Sequence, residues 1–515
     1  MPDAADRHGR RAGAARRPAP AAGPLLDELG QSTLHDWPGR TRSPEELATR
    51  LAAQRRDAPK QSWPAGWGRW GGCEELRFEA TGFFRTHHDG SRWWLVDPDG
   101  LAFWSAGLDC IRFQIQTAYR GLADALAWLP PEGGSTASSP PSGWNPSVDY
   151  LAANFVRAFG AEAKDAWGEV VLSLLRRFGF NTVANWSDWA VARAAGFPYV
   201  RPLKVSFPNT PKVFRDFPDV FDPAFASDAA AYAEQLRETA DDPALIGYFL
   251  MNEPTWGFAS QLPAEGMLVN TPSCRTRQAL ADWLRGKYAD QAALARRWGE
   301  GATFAAVADG PWTGAIGDGA RADLEAFSTV MVEKLFSTLS GACRAVDPDH
   351  LNLGARYHTV PPRWAFEGMG SFDVFSVNGY GEKVRDALGP YSEEVGRPVM
   401  IGEWHHGALD VGLPASGIGH VRTQADRGRA YRAYLEDAAA RPWCVGVLYF
   451  TLFDQSALGR GDGENYNIGF VDVCHRPYEE LADAARASHE RLYRVARGEA
   501  EPFDDPPEYL PMLFS

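Results

Sequence analysis

Eight short apolar segments, each ending in polar or aromatic residues and most of them followed by a helical stretch, predict an α/β fold closed into a (β/α)8 TIM barrel. Two further observations support this reading. The segments run nearly continuously apolar, as strands of a parallel sheet covered on both faces do. The first of them also lacks a Gly-rich phosphate loop at its carboxyl end, which disfavours the rival, a doubly wound open sheet. With 515 residues, 45% of them hydrophobic, the chain can build such a domain with extensions.

The elements follow in order. Residues 1–24 are Ala/Arg/Pro-rich and are expected to be a disordered tail. Residues 25–100 are expected to form a short helical and β extension packed on the barrel. Its clearest helix is "SPEELATRLAAQRR", where Ser43 can cap the first turn and Glu46 sits three residues on. "ATGFFRTHHDGSRWWLVDPDGLAFWSAGLD" (80–109) reads as a hairpin-like unit with turn signals at "HHDGS" and "DPDG". The barrel is expected over 101–497, with 498–515 as a C-terminal tail.

The eight expected strands are 102–109, 180–187, 199–207, 244–254, 351–358, 373–381, 398–406 and 444–455. Helices are expected at 164–178, 228–240, 276–288, 322–346 and 423–439. Two connections, 113–163 and 255–275, are long and lie on the carboxyl side of their strands, where lids and substrate walls are built. The first contains "LPPEGGSTASSPPSG", too rich in Gly, Ser and Pro for a regular element.

Composition narrows the function. A formal charge of −14 argues against a nucleic-acid partner and, more mildly, against anionic polymers, so a neutral ligand fits better. The 19 tryptophans suit stacking on sugar rings. No stretch of about 18 apolar residues exists for a membrane span. The first 24 residues hold no apolar core of signal-peptide length, so a cytoplasmic location is expected, or a secreted one if the true start differs. The six scattered cysteines show no C-x-x-C pair and read as reduced thiols.

In a barrel, the carboxyl ends of the strands converge on one mouth. The polar strand ends are Asn185 and Trp186; Asn252 and Glu253; Arg356, Tyr357 and His358; Asn378 and Tyr380; Glu403, Trp404 and His405; Asp454 and Gln455. Glu253 ends the fourth strand and Glu403 the seventh. Two facing carboxyls are what glycosidic cleavage needs: one protonates the leaving oxygen, the other attacks the anomeric carbon or activates water. The gap decides between retention and inversion. Glu253 has to stay protonated, helped by an apolar or anionic setting near Phe249 and Trp256, and Glu403 ionised, held by a hydroxyl such as that of Tyr380. Asn252 is placed to reach a sugar 2-hydroxyl, and Trp186 and Trp404 are candidate sugar platforms. His405 is a candidate polar subsite contact. No third ligand accompanies the His405–His406 pair, so no metal or other cofactor is expected. "GRGDGENY" follows the eighth strand and offers hydroxyl-binding groups, without the spacing of an EF-hand loop.

Asn252-Glu253 on the fourth strand with Glu403 on the seventh resembles the large clan of retaining (β/α)8 glycoside hydrolases. The segments "ATGFFRTHHDGSRWWLVDPDG", "IGEWHHGALDVG" and "GRGDGENYNIGFVDVCHRPY" are similar to the β-agarases of glycoside hydrolase family 50, over about residues 80–490. That resemblance implies Glu253 as acid/base and Glu403 as nucleophile. It also places His405, Asp410, Arg460, Asp462, Glu464 and Asn465 at the substrate cleft. The implied activity is cleavage of β-galactosidic bonds in a neutral galactan or its oligosaccharides. Another β-glycosidase on the same barrel, or a non-catalytic carbohydrate-binding barrel, are the alternatives.

Overall fold

The computed structural model describes residues 23–130, 137–138 and 146–512. The expected disordered tail, apart from residues 23 and 24, lies outside the described residues, as does most of the Gly/Ser/Pro-rich stretch.

Eight parallel strands form one sheet. They are β1 Ser105–Leu108, β2 Thr182–Val183, β3 Tyr199–Pro202, β4 Leu245–Phe249, β5 Leu351–Asn352, β6 Phe375–Asn378, β7 Val399–Trp404 and β8 Cys444–Tyr449. The order is β5-β4-β3-β2-β1-β8-β7-β6. The sheet curls until its edge strands approach: Tyr357, just beyond β5, bridges in parallel to Val377 of β6, and Asn378 N donates to Tyr357 O at 2.6 Å. The architecture is therefore an α/β fold with a curled eight-stranded parallel sheet, which fits a TIM-like barrel. Every residue of β1, β2, β4, β5, β6, β7 and β8 is buried, as the unbroken apolar runs required.

Helices Ala163–Phe178, Arg275–Lys287, Asp318–Val346 and Gln424–Ala440 lie close to the expected spans, whereas the helix expected at 228–240 runs earlier, over Pro223–Ala233, from its cap at Asp222. Ser43 caps the helix Pro44–Asp57, its Oγ accepting from Glu46 N at 3.2 Å while Glu46 Oε2 accepts from Arg42 N at 2.8 Å.

Several strands are shorter than the sequence implies, each for a local reason. The expected first strand is broken at Trp104, whose buried indole N–H donates to Cys444 O at 3.0 Å. Before it, Leu101–Phe103 belongs to a four-stranded antiparallel sheet with Cys73–Arg77, Trp93–Val96 and Arg85–His88. The last two form the expected hairpin, with Asp89 Oδ1 accepting from Ser91 N and Arg92 N in the turn. β3 ends at Pro202, which has no N–H to continue a ladder. The fourth and fifth strands resume after a break as Met251–Asn252 and Ala355–Arg356, which pair with each other. Gly354, at φ +78, makes the break on the fifth-strand side, and its carbonyl accepts from Leu250 N at 2.9 Å. The resumed pieces carry Asn252 and Arg356 to the rim.

The described part of the 113–163 connection is more regular than expected. Gln116–Ala118 pairs antiparallel with Ser147–Asp149, and the helix Tyr150–Phe159 follows, capped by Asp149. Ala118 N donates to Gly459 O at 2.9 Å and Gly461 N to Gln116 Oε1 at 3.2 Å, tying this insert to the loop after β8. Among the described residues, no helix is long and apolar enough to cross a membrane.

Candidate active site

Beyond the carboxyl ends of the strands lies a cleft of ≈ 400 Å³. Its walls include Glu253 and Asn252, Glu403, Tyr380, Trp186, and Arg460 with Glu464. The cleft thus brings together the two carboxylates that lie far apart in sequence. Three of its residues, Cys110, Trp186 and Glu253, hold left-handed backbone at φ 58, 61 and 43, although none is glycine. Such conformations cost of order 1–3 kcal/mol each and persist where the surroundings enforce them. Here they turn side chains at the ends of β1, β2 and β4 toward one space.

Glu253 is half-buried at the rim and held by one side-chain donor. Asn378 Nδ2 donates to its Oε1 at 2.7 Å and reaches Asn252 Oδ1 at 3.4 Å. Burial, and next the charge of Glu403, push the Glu253 carboxyl above its ordinary value, against the opposing pull of the Asn378 donor and Arg356. A carboxyl that holds its proton more tightly beside a second carboxyl is an arrangement suited to acid catalysis.

Glu403 sits among donors and one cation. Tyr380 Oη donates to its Oε2 at 2.9 Å, and Trp186 Nε1 donates to Oε1 at 3.4 Å. Arg356 Nη1 lies 3.2 Å from Oε1. Burial, then the Glu403 charge, keep the Tyr380 hydroxyl well above the usual tyrosine range, so it remains a donor. His405 packs edge-on to Tyr380 with ring centroids 4.9 Å apart, and its Nε2 accepts from Ile418 N at 2.9 Å. Burial holds its imidazole neutral. His405 therefore braces Tyr380 and the Ile418 wall from behind. The fully buried Asp109, at the end of the β1 segment, has its Oδ2 3.7 Å from Arg356 and its Oδ1 accepting from Asn185 N at 2.7 Å.

The loop after β8 divides. Arg460 pairs with Glu464 at 2.8 Å and with Asp462 at 2.9 Å, and Gln455 Nε2 donates to Glu464 Oε2 at 2.6 Å. Arg460 and Glu464 line the cleft. Asp454 and Gln455 line a small side niche of ≈ 30 Å³ that shares Cys110, Arg112 and Arg460 with it. Asp462 is exposed and Asn465 half-buried, and neither is part of the cleft wall.

Five further expectations are corrected. Trp404 is no sugar platform: it is fully buried and stacks on Tyr434 at 4.1 Å and 9°. Tyr357 is likewise buried, edge-on to Trp256. Both follow residues that face inward, Glu403 and Arg356, and successive strand residues point to opposite faces. Asn185 is wholly buried beneath Trp186 and contributes its backbone, its carbonyl accepting from Cys110 N at 2.8 Å. His358 stacks on Phe258 at 3.8 Å, outside the cleft wall. Asp410 is not part of the cleft wall: it accepts from Gln424 N and Nε2 at 2.9 and 2.7 Å, anchoring its loop to the start of a helix.

Asp109, Cys110, Arg112, Ile418 and Phe450 are the site residues that sequence reasoning missed. Asp109 had the same signal as Glu253, a carboxylate ending an apolar run. Arg356 was visible as a polar strand end, but nothing in the sequence marked it as the partner of Glu403. Among the described residues, no cluster of His, Cys, Asp and Glu is arranged to hold a metal ion.

No protein-family model matches the chain. Two relatives do: β-agarase B of Vibrio sp. (strain JT0107), 29% identical over 92% of this chain, and β-agarase A of the same strain, 28% identical over 91%. The chain spans about half the length of these relatives, 55% and 52% respectively. Among solved structures, an exo-β-agarase superposes with a TM-score of 0.84 at 28% identity, covering 92% of this chain and 73% of that one. The agarase AgWH50C gives 0.83 at 26%, covering 92% and 74%, and PfGH50B gives 0.84 at 28%, covering 92% and 75%. By sequence the chain is a homologue of the Vibrio β-agarases A and B, and its fold matches those solved structures.

Proposed function

We propose that the chain is a retaining β-glycoside hydrolase of agarase type, built on a (β/α)8 barrel with a short N-terminal helical and β extension. Its substrate is a β-linked galactan or oligosaccharides derived from one. The observation that carries this reading is the pairing of Glu253 and Glu403 in one cleft with opposite settings. Glu253 is pushed toward its protonated form. Glu403 is clasped by Tyr380, Trp186 and Arg356.

In the first step Glu253 gives its proton to the glycosidic oxygen as the carbon–oxygen bond breaks. A Glu403 oxygen attacks the anomeric carbon and forms a covalent glycosyl-enzyme. In the second step Glu253, now a carboxylate, takes a proton from water, which displaces Glu403 and restores both groups. Asn252 lines the cleft beside the acid, where it can meet a ring hydroxyl. The half-exposed Trp186 offers an aromatic face to a sugar ring. No other group is needed for this chemistry.

The test is a screen of agarose, neoagaro-oligosaccharides and nitrophenyl β-galactoside, with proton NMR of the first anomer released. Release of the β-anomer from an agarose oligosaccharide is the expected result. The α-anomer would indicate inversion and remove the double displacement. Turnover of the aryl galactoside alone would favour a general β-galactosidase. Binding without hydrolysis would favour a carbohydrate-binding barrel.

A further inference from the structure

Arg356 is fully buried, yet its guanidinium lies at the centre of the site. Nη1 donates to Gly402 O at 2.9 Å and sits 3.2 Å from Glu403 Oε1. The guanidinium carbon lies between two aromatic rings, 5.1 Å from the Trp186 centroid and 5.3 Å from that of Phe249. These rings screen the cation from the cleft, whose wall does not include Arg356. Behind it stands Asp109, at 3.7 Å.

We infer that Arg356 is a positioning residue of the reaction: it holds Glu403 ionised and aimed for attack without touching the sugar, and Asp109 fixes it from behind. This rests on Glu403 being the nucleophile. Among the described residues, Arg356 is the only cation paired with Glu403. The other titratable groups around the cleft are Glu253, Asp109, Tyr380, His405, Cys110, Arg112, Arg460 and Glu464. Arg460 is engaged with Asp462 and Glu464. In this half-closed space, with Glu253 nearby, the guanidinium 3.2 Å away gives Glu403 a fixed counter-charge. The bond to the Gly402 carbonyl ties the guanidinium to the backbone directly before Glu403, so charge and geometry are set together.

Asp109 supports the assignment. Burial, opposed by Arg356 and reinforced by Glu403, pushes its carboxyl well above the usual range. With its carboxyl pushed toward the neutral form, Asp109 anchors the guanidinium from 3.7 Å while competing less for its charge, and more of that charge falls on Glu403.

The experiment compares kcat/KM against pH for wild type, Arg356→Met, Arg356→Lys and Asp109→Asn, with circular dichroism to confirm folding. The acidic limb of this profile reports the group that must be ionised in the free enzyme. Arg356→Met is expected to move that limb upward by about one pH unit or more. Arg356→Lys keeps the charge but loses the planar fork, so kcat falls by about tenfold or more while the limb stays within about half a unit. Asp109→Asn, an isostere of the neutral acid, leaves the limb in place. A folded Arg356→Met with the wild-type limb overturns the inference. So does Arg356→Lys at wild-type kcat, which alone carries the test if the methionine variant does not fold. An Asp109→Asn limb displaced as far as that of Arg356→Met overturns the role given to Asp109. Labelling of wild-type Glu403 by a 2-deoxy-2-fluoro-galactosyl fluoride, read by mass spectrometry, separates the two readings. No label on Glu403 sinks the nucleophile assignment. A labelled Glu403 with an unmoved Arg356→Met limb sinks only the positioning role.

Discussion

Asn378 donates its side-chain N–H to Glu253 at 2.7 Å while its own backbone lies in register with Glu403 on the neighbouring strand. One β6 residue thereby links two carboxylates that come from β7 and from the rim beyond β4. Its neighbour two residues on, Tyr380, donates to Glu403. The sixth strand is thus the ruler of the site, and the following expectations test it.

Asn378 stabilises the ionised form of Glu253. Asn378→Ala removes that donor, so Glu253 holds its proton to higher pH. An acid catalyst works while protonated, and the basic limb of kcat/KM against pH should therefore move upward. The loss of orientation should lower kcat by about tenfold. A limb that stays in place or moves downward would show that Asn378 does not govern the acid.

Glu403→Ala and Glu253→Gln should each lower kcat on an oligosaccharide by on the order of a thousandfold or more, with the fold intact by circular dichroism. Rates near wild type in either variant would remove that residue from the chemistry.

Tyr380→Phe deletes one hydroxyl and leaves the ring against His405. Loss of a hydrogen bond to a charged group costs about 1.5–3 kcal/mol, so kcat should fall by about 10- to 100-fold. An unchanged kcat would mean that the 2.9 Å contact does not persist with substrate bound.

Trp404 distinguishes packing from binding. Trp404→Ala should cost about 3–5 kcal/mol in urea unfolding, because the indole fills the space between Tyr434, Tyr449 and Tyr431. Trp404→Phe, with a smaller cavity, should destabilise less and leave KM for oligosaccharide near wild type. A large rise in KM without loss of stability would restore Trp404 to the substrate cleft.

The sequence by itself determined the strand count, the positions of most helices and the two glutamates. These are local signals: apolar runs of a certain length, and carboxylates where such runs end. Strand alternation was also legible in principle, and applying it to Glu403-Trp404 and Arg356-Tyr357 separates the inward residue of each pair from the outward one. Asn185-Trp186 escapes that rule, because the left-handed turn at Trp186 resets the alternation. Only the tertiary structure decided that Trp186 covers Arg356, that Asn378 reaches Glu253, and that Asp109, Arg356 and Glu403 stand in one buried row. Those relations join the ends of separate strands. They depend on the curl and stagger of the sheet, which no single stretch of residues encodes.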